Sequence, residues 1–509
     1  MDEIFYLSNI KHIADTAHNF DFYNFDIAKF ESSLRNKPES FWEKAGQKKA
    51  LRLFHEAAKR VPAYKDFLKK NKISPSAVTT ITDFREVPVT TKENYINQYT
   101  IGERSWGGDI TGHTVMAVSS GTSGKPNFWP RGSYQEFEAA IIHELIFKYL
   151  LSVDTYKTLL VISFPMGIYV SGVATVLPSV LVSQKGYHLT VVSLGNQKEQ
   201  ALLTVERLKE SYEQIVFVGH PFFVKDILEA AREARLGWQK KRIKMMFCSE
   251  GFNEVWRDYV TGLAGSRPEH AISTYGSSEL LLMAFENPLS ISIRRLAAAS
   301  RSARLELFNE DKLPNLFQYC PLMRYIESVN NELIFTSASG LPLIRFNLKD
   351  NGSILSYDHI RKIAGVSKKG GKQSWQLPFV TLEGRSDNTI VFYAANIYPE
   401  NIRQILDYKP FLSKITGRFA MVKRPHKTFE QTLNIHLELR PGEKGGPKFS
   451  NIVKMRIAKL LPSVNLEYKY IYQYYQKRGR DLKPVVTLWP YQSSPYFKPG
   501  LKARYIYKE

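Results

Sequence analysis

A polar loop that directly follows an apolar run is the part of the sequence best suited to bind polyphosphate. Val115–Val118 predicts a short strand, and it leads into Ser119, Ser120, Gly121, Thr122, Ser123, Gly124 and Lys125. Glycines let backbone N–H groups approach phosphate oxygens, the hydroxyls donate further hydrogen bonds, and the lysine adds a positive charge. The spacing is not that of a Walker loop. A plain surface turn is the alternative, since these residue types are common in turns.

Two further polar loops follow predicted strands later in the chain. Met245–Cys248 leads into Ser249, Glu250 and Gly251, and Ile272–Tyr275 leads into Gly276, Ser277, Ser278 and Glu279. Because ligands of open parallel sheets bind beyond the carboxyl ends of the strands, we expect these loops to share one crevice with the first. A carboxylate beside phosphates suggests magnesium, with Glu279 as its ligand. Alternatively, Glu279 is an ordinary acidic residue at a helix N-terminus.

The elements that must position these loops alternate along the chain. Apolar runs at 115–118, 159–163, 191–194, 215–218, 245–248 and 272–275 alternate with helix-like stretches such as 199–212 and 221–235. This alternation predicts a large α/β domain with a parallel sheet. An amphipathic helix is expected earlier, from Trp42 to Val61, ending at Pro62.

The pattern changes after Asp387, and we expect a small basic α+β domain over 387–509, preceded by the large domain over 1–386. The predicted elements of the small domain are a helix at 402–406, an alternating strand at 433–439, a helix at 451–461 and a second alternating strand at 464–472. The Gly/Lys-rich stretch 368–372 is expected to be a loop of the large domain.

Composition narrows the class of protein. The 509 residues are 43% hydrophobic and 23% charged, which is typical of globular chains and not of disordered ones. Only Cys248 and Cys320 occur, which excludes a disulfide framework and favours a reducing, cytoplasmic location.

The start of the chain carries no secretory signal pattern. The 27 uncharged residues from Thr158 to Gln184 are interrupted by Pro165 and Pro178, so we expect no membrane span.

The positive charge is concentrated toward the C-terminus. Of the net charge of +21, residues 385–509 carry +14, from 23 basic and 9 acidic side chains. This excess predicts an anionic partner, although a solvated basic surface with no partner fits as well. A non-catalytic basic protein that binds nucleic acid or an anionic membrane is therefore a competing function. No zinc-finger, RNA-recognition or helix-turn-helix signature is visible, so nucleic acid is not expected.

Five ordered motifs resemble those of adenylate-forming ligases: SSGTSGKP at 119–126, SEG at 249–251, YGSSE at 275–279, RFNLKDNG at 345–352 and EGRSDN at 383–388. VPAYKDFLKK at 61–70 and REVPVTTKENY at 85–95 are similar to the N-terminal region of phenylacetate-coenzyme A ligases and their capsule-biosynthesis relatives. The resemblance spans nearly the whole chain. It implies a small mobile C-terminal domain and an enzyme that uses ATP to activate a carboxylic acid as acyl-adenylate. Pyrophosphate is released, and the acyl group then passes to a nucleophile.

The resemblance also assigns roles to single residues. Ser119–Lys125 and Ser278 would hold the ATP phosphates, and Glu279 would bind Mg²⁺. Tyr275, Gly276 and Ser249–Gly251 would line the adenine. Asp350 would accept hydrogen bonds from the ribose hydroxyls, and Arg385 would add a second ribose or phosphate contact. Asp387 would be the hinge of the small domain.

Two departures from the family pattern bear on catalysis. The family brings a lysine near its C-terminus over the α-phosphate; here the tail reads FKPGLKARYIYKE, so Lys502 is our first choice and Lys498 the reserve. Where thioester-forming members carry glycine to let the pantetheine arm pass, this chain has Ala394 and Ala395. Adenylation is thus better supported than transfer to coenzyme A, and an acidic carrier protein or an amine stays open as acceptor.

The acyl pocket is expected next to these motifs, from Phe164, Gly167, Tyr169, His220 and Leu281, with Met166, Phe222 and residues 282–285 around them. Their apolar and aromatic character suits an aryl or short acyl acid. Ordinary core packing is the alternative for each of them.

Overall fold

The computed structural model describes residues 22–112, 115–119, 127–166, 170–311, 313–363, 374–385, 389–426 and 430–497, together with Glu3, Leu7 and Gly365. These residues separate into two compact units. The larger unit consists of those within 1–119 and 128–384, and the smaller of Asn127 and those within 385–509. The loop predicted at 368–372 lies outside the described residues.

In the larger unit, the first two strands pair with each other, and the other strands form two larger sheets. In chain order they are β1 (Val115–Ser119), β2 (Asn127–Arg131), β3 (Thr158–Ser163), β4 (Leu189–Ser193), β5 (Gln214–Gly219), β6 (Arg242–Phe247), β7 (Ala271–Ser277), β8 (Leu281–Phe285), β9 (Asn315–Gln318), β10 (Tyr325–Val329), β11 (Glu332–Ser337), β12 (Leu343–Asn351), β13 (Ile354–Leu355), β14 (Phe379–Leu382) and β15 (Gly384–Arg385).

A nine-stranded sheet has the order β13-β14-β9-β8-β7-β6-β5-β3-β4. Strands β4, β3, β5, β6 and β7 run parallel, whereas β8, β9, β14 and β13 pair antiparallel. The predicted strands and the parallel α/β arrangement are confirmed. The run at 115–118 is also a strand, but it pairs with β2 outside the large sheet. A second sheet has the order β10-β11-β12-β15.

Helices of the larger unit pack against both of the larger sheets. They are α1 (Ile27–Asn36), α2 (Glu39–Arg60), α3 (Pro62–Lys70), α4 (Ile81–Glu86), α5 (Ile101–Arg104), α6 (Ser133–Tyr149), α7 (Val170–Ser183), α8 (Lys198–Leu208), α9 (Pro221–Glu233), α10 (Glu254–Ala264), α11 (Pro288–Ala299), α12 (Arg301–Phe308) and α13 (Tyr357–Ile363). Helix α2 ends at Arg60, one residue before the predicted Val61, which is its C-cap. Pro62 then begins α3 at once, because proline is well tolerated at the first helical position.

The parallel strands β3 and β5 are buried on both faces, as strands covered by helices on each side must be, whereas the outermost strand β4 is partly exposed. Every residue of β3 and β5 is buried, and Leu160, Ile162, Val216 and Val218 belong to one hydrophobic core. The uncharged stretch 158–184 therefore supplies a core strand and helix α7. Within the described part of the chain, no helix is both long and apolar enough to cross a membrane.

The smaller unit is an α+β arrangement. Its elements are β16 (Ile390–Phe392), β17 (Ala395–Ile397), α14 (Pro399–Leu406), α15 (Lys409–Leu412), β18 (Ile415–Pro425), β19 (Gln431–Leu439), α16 (Pro447–Val464), α17 (Leu466–Gln476) and β20 (Val485–Trp489). Strand β19 pairs antiparallel with β18 and parallel with β20.

The predicted strand at 464–472 is wrong, because this segment is helix α17. The Asn465 side chain accepts from the backbone N of Tyr468 at 2.8 Å and so caps the helix. Tyr468, Ile471 and Tyr475 are buried at helical spacing. Alternating aromatic residues had suggested a strand, yet the same residues also fit a helical period, and the cap and packing decide in favour of the helix.

Candidate functional site

Three predicted site segments leave the large sheet at one edge. Strands β5, β6 and β7 are parallel neighbours, with Gly219 paired to Phe247 and Phe247 to Ser273. The loops that follow β5, β6 and β7 therefore start from the same, carboxyl edge of the sheet. This is the edge at which ligands of open α/β sheets bind.

Tyr275 and Asp350, predicted for adenine and ribose, come together in the structure. The Tyr275 hydroxyl donates to Asp350 Oδ2 at 2.6 Å, and both side chains are buried. The Tyr275 ring stacks on Phe317 with ring centroids 5.9 Å apart and meets Phe335 edge-on at 6.1 Å. These contacts fix the ring and the carboxylate in one orientation, which suits recognition of a planar base and its sugar.

Glu279 forms an ion pair that sequence reasoning did not predict. Its Oε1 atom lies 2.9 Å from Lys92 Nζ, and the two side chains are 6% and 17% exposed. Lys92 belongs to the motif at 85–95, for which the sequence predicts a family resemblance but no role in the site. A buried carboxylate carries a high desolvation cost unless a cation faces it, and Lys92 meets that need in this structure.

Lys92 is positioned by a short π-helix, Lys92–Ile96. The Thr91 hydroxyl accepts from the backbone N of Asn94 at 3.1 Å, and Asn94 Oδ1 accepts from the Thr91 N at 2.7 Å. This reciprocal capping box is the sequence signal that could have revealed the element. π-Helical turns are rare and often lie at functional sites.

Strand β12 anchors the segment that carries Lys92. Thr90 N donates to Arg345 O at 3.0 Å, Asn347 N donates to Thr90 O at 2.9 Å, and the Thr90 hydroxyl donates to Ile344 O at 2.8 Å. The Arg345 guanidinium in turn donates to the carbonyls of Arg85 and Val87. Two motifs that are about 250 residues apart in sequence thus form one local structure.

A second buried pair lies at the ends of β5 and β6. His220 Nε2 lies 3.2 Å from Glu250 Oε2, with both side chains buried. Phe222 flanks the His220 ring at 5.7 Å and contacts Trp256 at 5.8 Å. His220, predicted for the acyl pocket, is therefore paired with Glu250, predicted for the adenine pocket. The side chains around the pair are largely aromatic.

Three residues in or next to the predicted site motifs adopt strained backbone conformations. Ser249, Leu281 and Lys349 adopt left-handed conformations, with φ of 79°, 57° and 66°. Each costs on the order of 1–2 kcal/mol for a residue with a Cβ, and such residues tend to cluster at functional sites. Gly276 permits a close approach, since a Cβ there would lie 3.0 Å from the Leu281 carbonyl oxygen.

The remaining predicted residues are distributed as follows. Ser278 lies partly exposed between β7 and β8, Ser119 ends β1, and Arg385 ends β15. Phe164 packs in the core with Met246 and Ile272, which supports the packing alternative for that residue. Outside the described residues lie Ser120, Gly121, Thr122, Ser123, Gly124, Lys125, Gly167, Tyr169, Asp387, Lys498 and Lys502.

Glu279 is the residue predicted to bind a magnesium ion that arrives with a nucleotide. Among the described residues, no group of three or more His, Cys, Asp or Glu side chains could hold a metal ion. Magnesium bound with a nucleotide needs only one or two protein carboxylates, because phosphates and water complete its shell. Glu279 meets that requirement. Burial raises the pKa of the Cys248 thiol at the end of β6, so a thiolate nucleophile is disfavoured there.

Comparison with solved structures supports the fold. A 2-hydroxyisobutyryl-CoA ligase, solved with 2-HIB-AMP and CoA in the thioesterification state, is similar over 97% of this chain and 94% of the ligase, with a TM-score of 0.65 and 14% identity. An open conformation of the same ligase is similar over 97% of this chain and 96% of the ligase, with a TM-score of 0.55 and 14% identity. No family model matches the chain, and no curated protein sequence matches it. The chain has the adenylate-forming ligase fold.

Proposed function

We propose that this chain activates a carboxylic acid with ATP and transfers the resulting acyl group to a nucleophile. The observation that carries the proposal is the gathering of Tyr275, Asp350 and Glu279 around the β7–β8 hairpin, at the ligand-binding edge of an adenylate-forming fold. Together they offer one nucleotide an aromatic surface, an acceptor for hydroxyl groups and a carboxylate for a cation. The motif at 85–95 favours the phenylacetate-coenzyme A ligase type.

In the first step, an oxygen of the substrate carboxylate attacks the α-phosphorus of ATP. The bond between that phosphorus and the bridging oxygen breaks, and pyrophosphate leaves with the electron pair, so acyl-adenylate remains. The loop Ser119–Lys125 and Ser278 hold the phosphates, while Asp350 and Arg385 orient the ribose. Magnesium, when bound at Glu279, neutralises part of the phosphate charge. Lys92 supplies a second positive charge beside that carboxylate.

The acid fits an apolar, aryl or short acyl class. His220, Leu281 and Phe222 lie at or next to the strand ends that carry the nucleotide residues, and each is buried. The similar 2-hydroxyisobutyryl-CoA ligase was solved with the adenylate of a short hydroxy acid, which supports a small acyl group here. The His220–Glu250 pair gives the pocket one polar point among aromatic side chains.

In the second step, a nucleophile attacks the acyl carbon and AMP leaves. The β16–β17 turn bears on which nucleophile this is. Tyr393 and Ala394 adopt φ of 48° and 68°, a conformation that glycine adopts without penalty. The Ala394 methyl group occupies space at this turn that a glycine would leave open. Such bulk would narrow the passage for a pantetheine arm, whether it belongs to free coenzyme A or to a carrier protein. The turn therefore favours an amine, whereas the net charge of +14 over residues 385–509 favours a carrier-protein thiol, and coenzyme A is a ligand of the similar ligase.

We further propose that residues 387–509 move as the small domain, about a hinge at Asp387, and deliver Lys502 to the α-phosphate. Lys502→Ala should then reduce pyrophosphate release strongly while ATP binding stays within about twofold, because the lysine acts only when the domains close. Lys498→Ala is the matched control. Loss of activity in Lys498→Ala alone would transfer the role to Lys498.

The decisive experiment measures pyrophosphate release from the full chain with ATP, magnesium and a panel of aryl, short aliphatic and amino acids. Glu279→Gln should lower turnover by about 10²-fold or more at limiting magnesium, because an amide is a poor ligand for this cation. Glu233→Gln, an exposed change on α9, is the matched control. If no acid supports pyrophosphate release, the proposal fails and a non-catalytic basic binding protein becomes the better explanation.

A further inference from the structure

Helix α16 of the smaller unit carries an exposed stripe in which two apolar side chains are flanked by two basic ones. Lys448, Ile452, Met455 and Lys459 follow one another at spacings of four, three and four residues, which places them on one face. Ile452 and Met455 are 50% and 49% exposed. Half-exposed apolar residues within a charged border are typical of protein-binding surfaces.

A groove of about 490 Å³ lies beside this stripe. It is lined by Met455, Arg456, Ala458, Lys459 and Leu460 of α16, by Tyr472 of α17 and by Lys483 beyond it. Its lining contains three cations and no carboxylate. The groove is therefore both concave and positively charged.

The cations of the groove are held in different ways. Arg456 lies over the Tyr408 ring at 3.8 Å and donates to Ile405 O at 3.3 Å, so its guanidinium is fixed on the scaffold. Lys483 pairs with Asp481 at 3.3 Å, an exposed contact of small energetic value. Lys459 makes no ion pair with any residue that the structure describes. Lys459 is thus the cation most available to an incoming carboxylate.

Charge around the groove is strongly one-sided. Residues 447–483 contain nine Lys or Arg and only two acids, Glu467 and Asp481. Glu467 is engaged by the backbone N and side-chain amide of Asn396 at 2.7 and 3.2 Å. Little negative charge remains to offset the cations, so the surface is complementary to an acidic one.

We propose that this stripe and groove dock an acidic helix of a carrier protein, with an apolar side chain of the partner seated beside Met455. The concave shape and the narrow apolar stripe suit an inserted helix side chain. A membrane-bound helix instead presents a wide apolar face. The identity of the partner as the carrier of the acceptor thiol rests on the proposed function, whereas the docking surface itself rests on the charge and shape described here.

Binding of a purified holo acyl carrier protein to the full-length chain, followed by fluorescence anisotropy without ATP or acid, tests the inference. The Kd should rise about 10-fold from low salt to physiological ionic strength, because screening weakens charge complementarity. Met455→Glu and Lys459→Glu should each raise the Kd by about 10-fold, since each adds repulsion at the centre of the surface. Lys240→Glu, an equal charge change on the larger unit, is the control and should stay within about twofold.

Equal effects of Lys240→Glu and Lys459→Glu would overturn the inference, because net charge alone would then explain the binding. Binding of phosphatidylserine vesicles with the same sensitivity to Met455→Glu, in the absence of carrier binding, would replace the protein partner with a membrane. Pyrophosphate release is measured separately on each variant. Adenylation without carrier binding would refute only this inference, whereas carrier binding without adenylation would refute only the proposed function.

Discussion

Replacing Lys92 with methionine should separate the structural cost of the Glu279 ion pair from its part in catalysis. Methionine preserves most of the apolar stem and removes the charge, leaving the 6% exposed Glu279 carboxylate without the Lys92 cation. Removing one partner of a buried ion pair costs about 3–5 kcal/mol. Because Lys92 is itself 17% exposed, the lower end, about 3 kcal/mol, is expected. At about 2 °C per kcal/mol, the melting temperature of the larger unit should fall by roughly 6 °C.

The same variant should change the response to magnesium. If magnesium binds Glu279 as proposed, Lys92 and the cation compete for one carboxylate, so removal of the lysine should lower the magnesium concentration needed for half-maximal activity. Turnover should nevertheless fall by about 10²-fold, since a positive charge beside the phosphates is lost during the attack on phosphorus. Lys92→Arg keeps the charge and should recover much of the melting temperature.

Thermal unfolding and pyrophosphate release, each measured over a magnesium series, provide the test. A double-mutant cycle with Glu279→Gln should give a coupling free energy of about 2 kcal/mol in the stability of the apo protein. The reasoning is refuted if Lys92→Met melts at the wild-type temperature, or if the coupling is zero. A lower melting temperature with wild-type turnover would leave Lys92 a purely structural residue.

Three further predictions concern the proposed nucleotide site, the β16–β17 turn and the core. Tyr275→Phe removes a 2.6 Å hydrogen bond to Asp350 and should raise the KM for ATP about 10-fold with little change in kcat, measured by steady-state kinetics; an unchanged KM would exclude a role of the hydroxyl in orienting the carboxylate. Ala394→Gly relieves a φ of 68° and should stabilise the smaller unit by about 1 kcal/mol in thermal unfolding; it should also raise thioester formation with free coenzyme A if the methyl group obstructs the passage. Burial lowers the pKa of His143 to about 4. The unfolded chain therefore takes up a proton first as the pH falls below about 6.5, and stability should decline by about 3 kcal/mol between pH 6.5 and 4. Urea unfolding should show this decline reduced in His143→Gln, and an equal decline in both proteins would contradict the assignment.

The sequence was informative wherever one physical signal determined the structure. Uncharged apolar runs flanked by polar loops marked β3, β5, β6 and β7, because strands covered on both faces exclude polar side chains. Helix α17 was mistaken for a strand because tyrosines at 468, 470 and 472 satisfy a period of two. The Asn465 side chain, which caps the helix, distinguishes helix from strand. Asparagine occurs in many other contexts, so its presence in the sequence indicates a cap only if a helix is already considered.

The site was predictable in its parts but not in its contacts. The family resemblance identified Tyr275 and Asp350 as candidates, and chemical type and position identified Glu279, yet nothing local indicates that Tyr275 donates to Asp350. Lys92 was missed because its role depends on Thr90 pairing with β12, a contact between residues 254 positions apart. Periodicity and capping report on neighbours in the chain, whereas such contacts follow from tertiary packing.

The pairing of Thr90 with β12 also constrains how the protein can be made. Thr90 and Arg345 are 255 positions apart, so a ribosome adding about 5–20 residues per second needs roughly 13–50 s after Thr90 before the partner strand exists. During that interval Phe84 and Tyr95 lack Phe335 and Phe346, with which they form one core. The nascent N-terminal segment therefore exposes an aromatic surface for tens of seconds, and chaperone binding should be concentrated on ribosome-bound chains that end before β12.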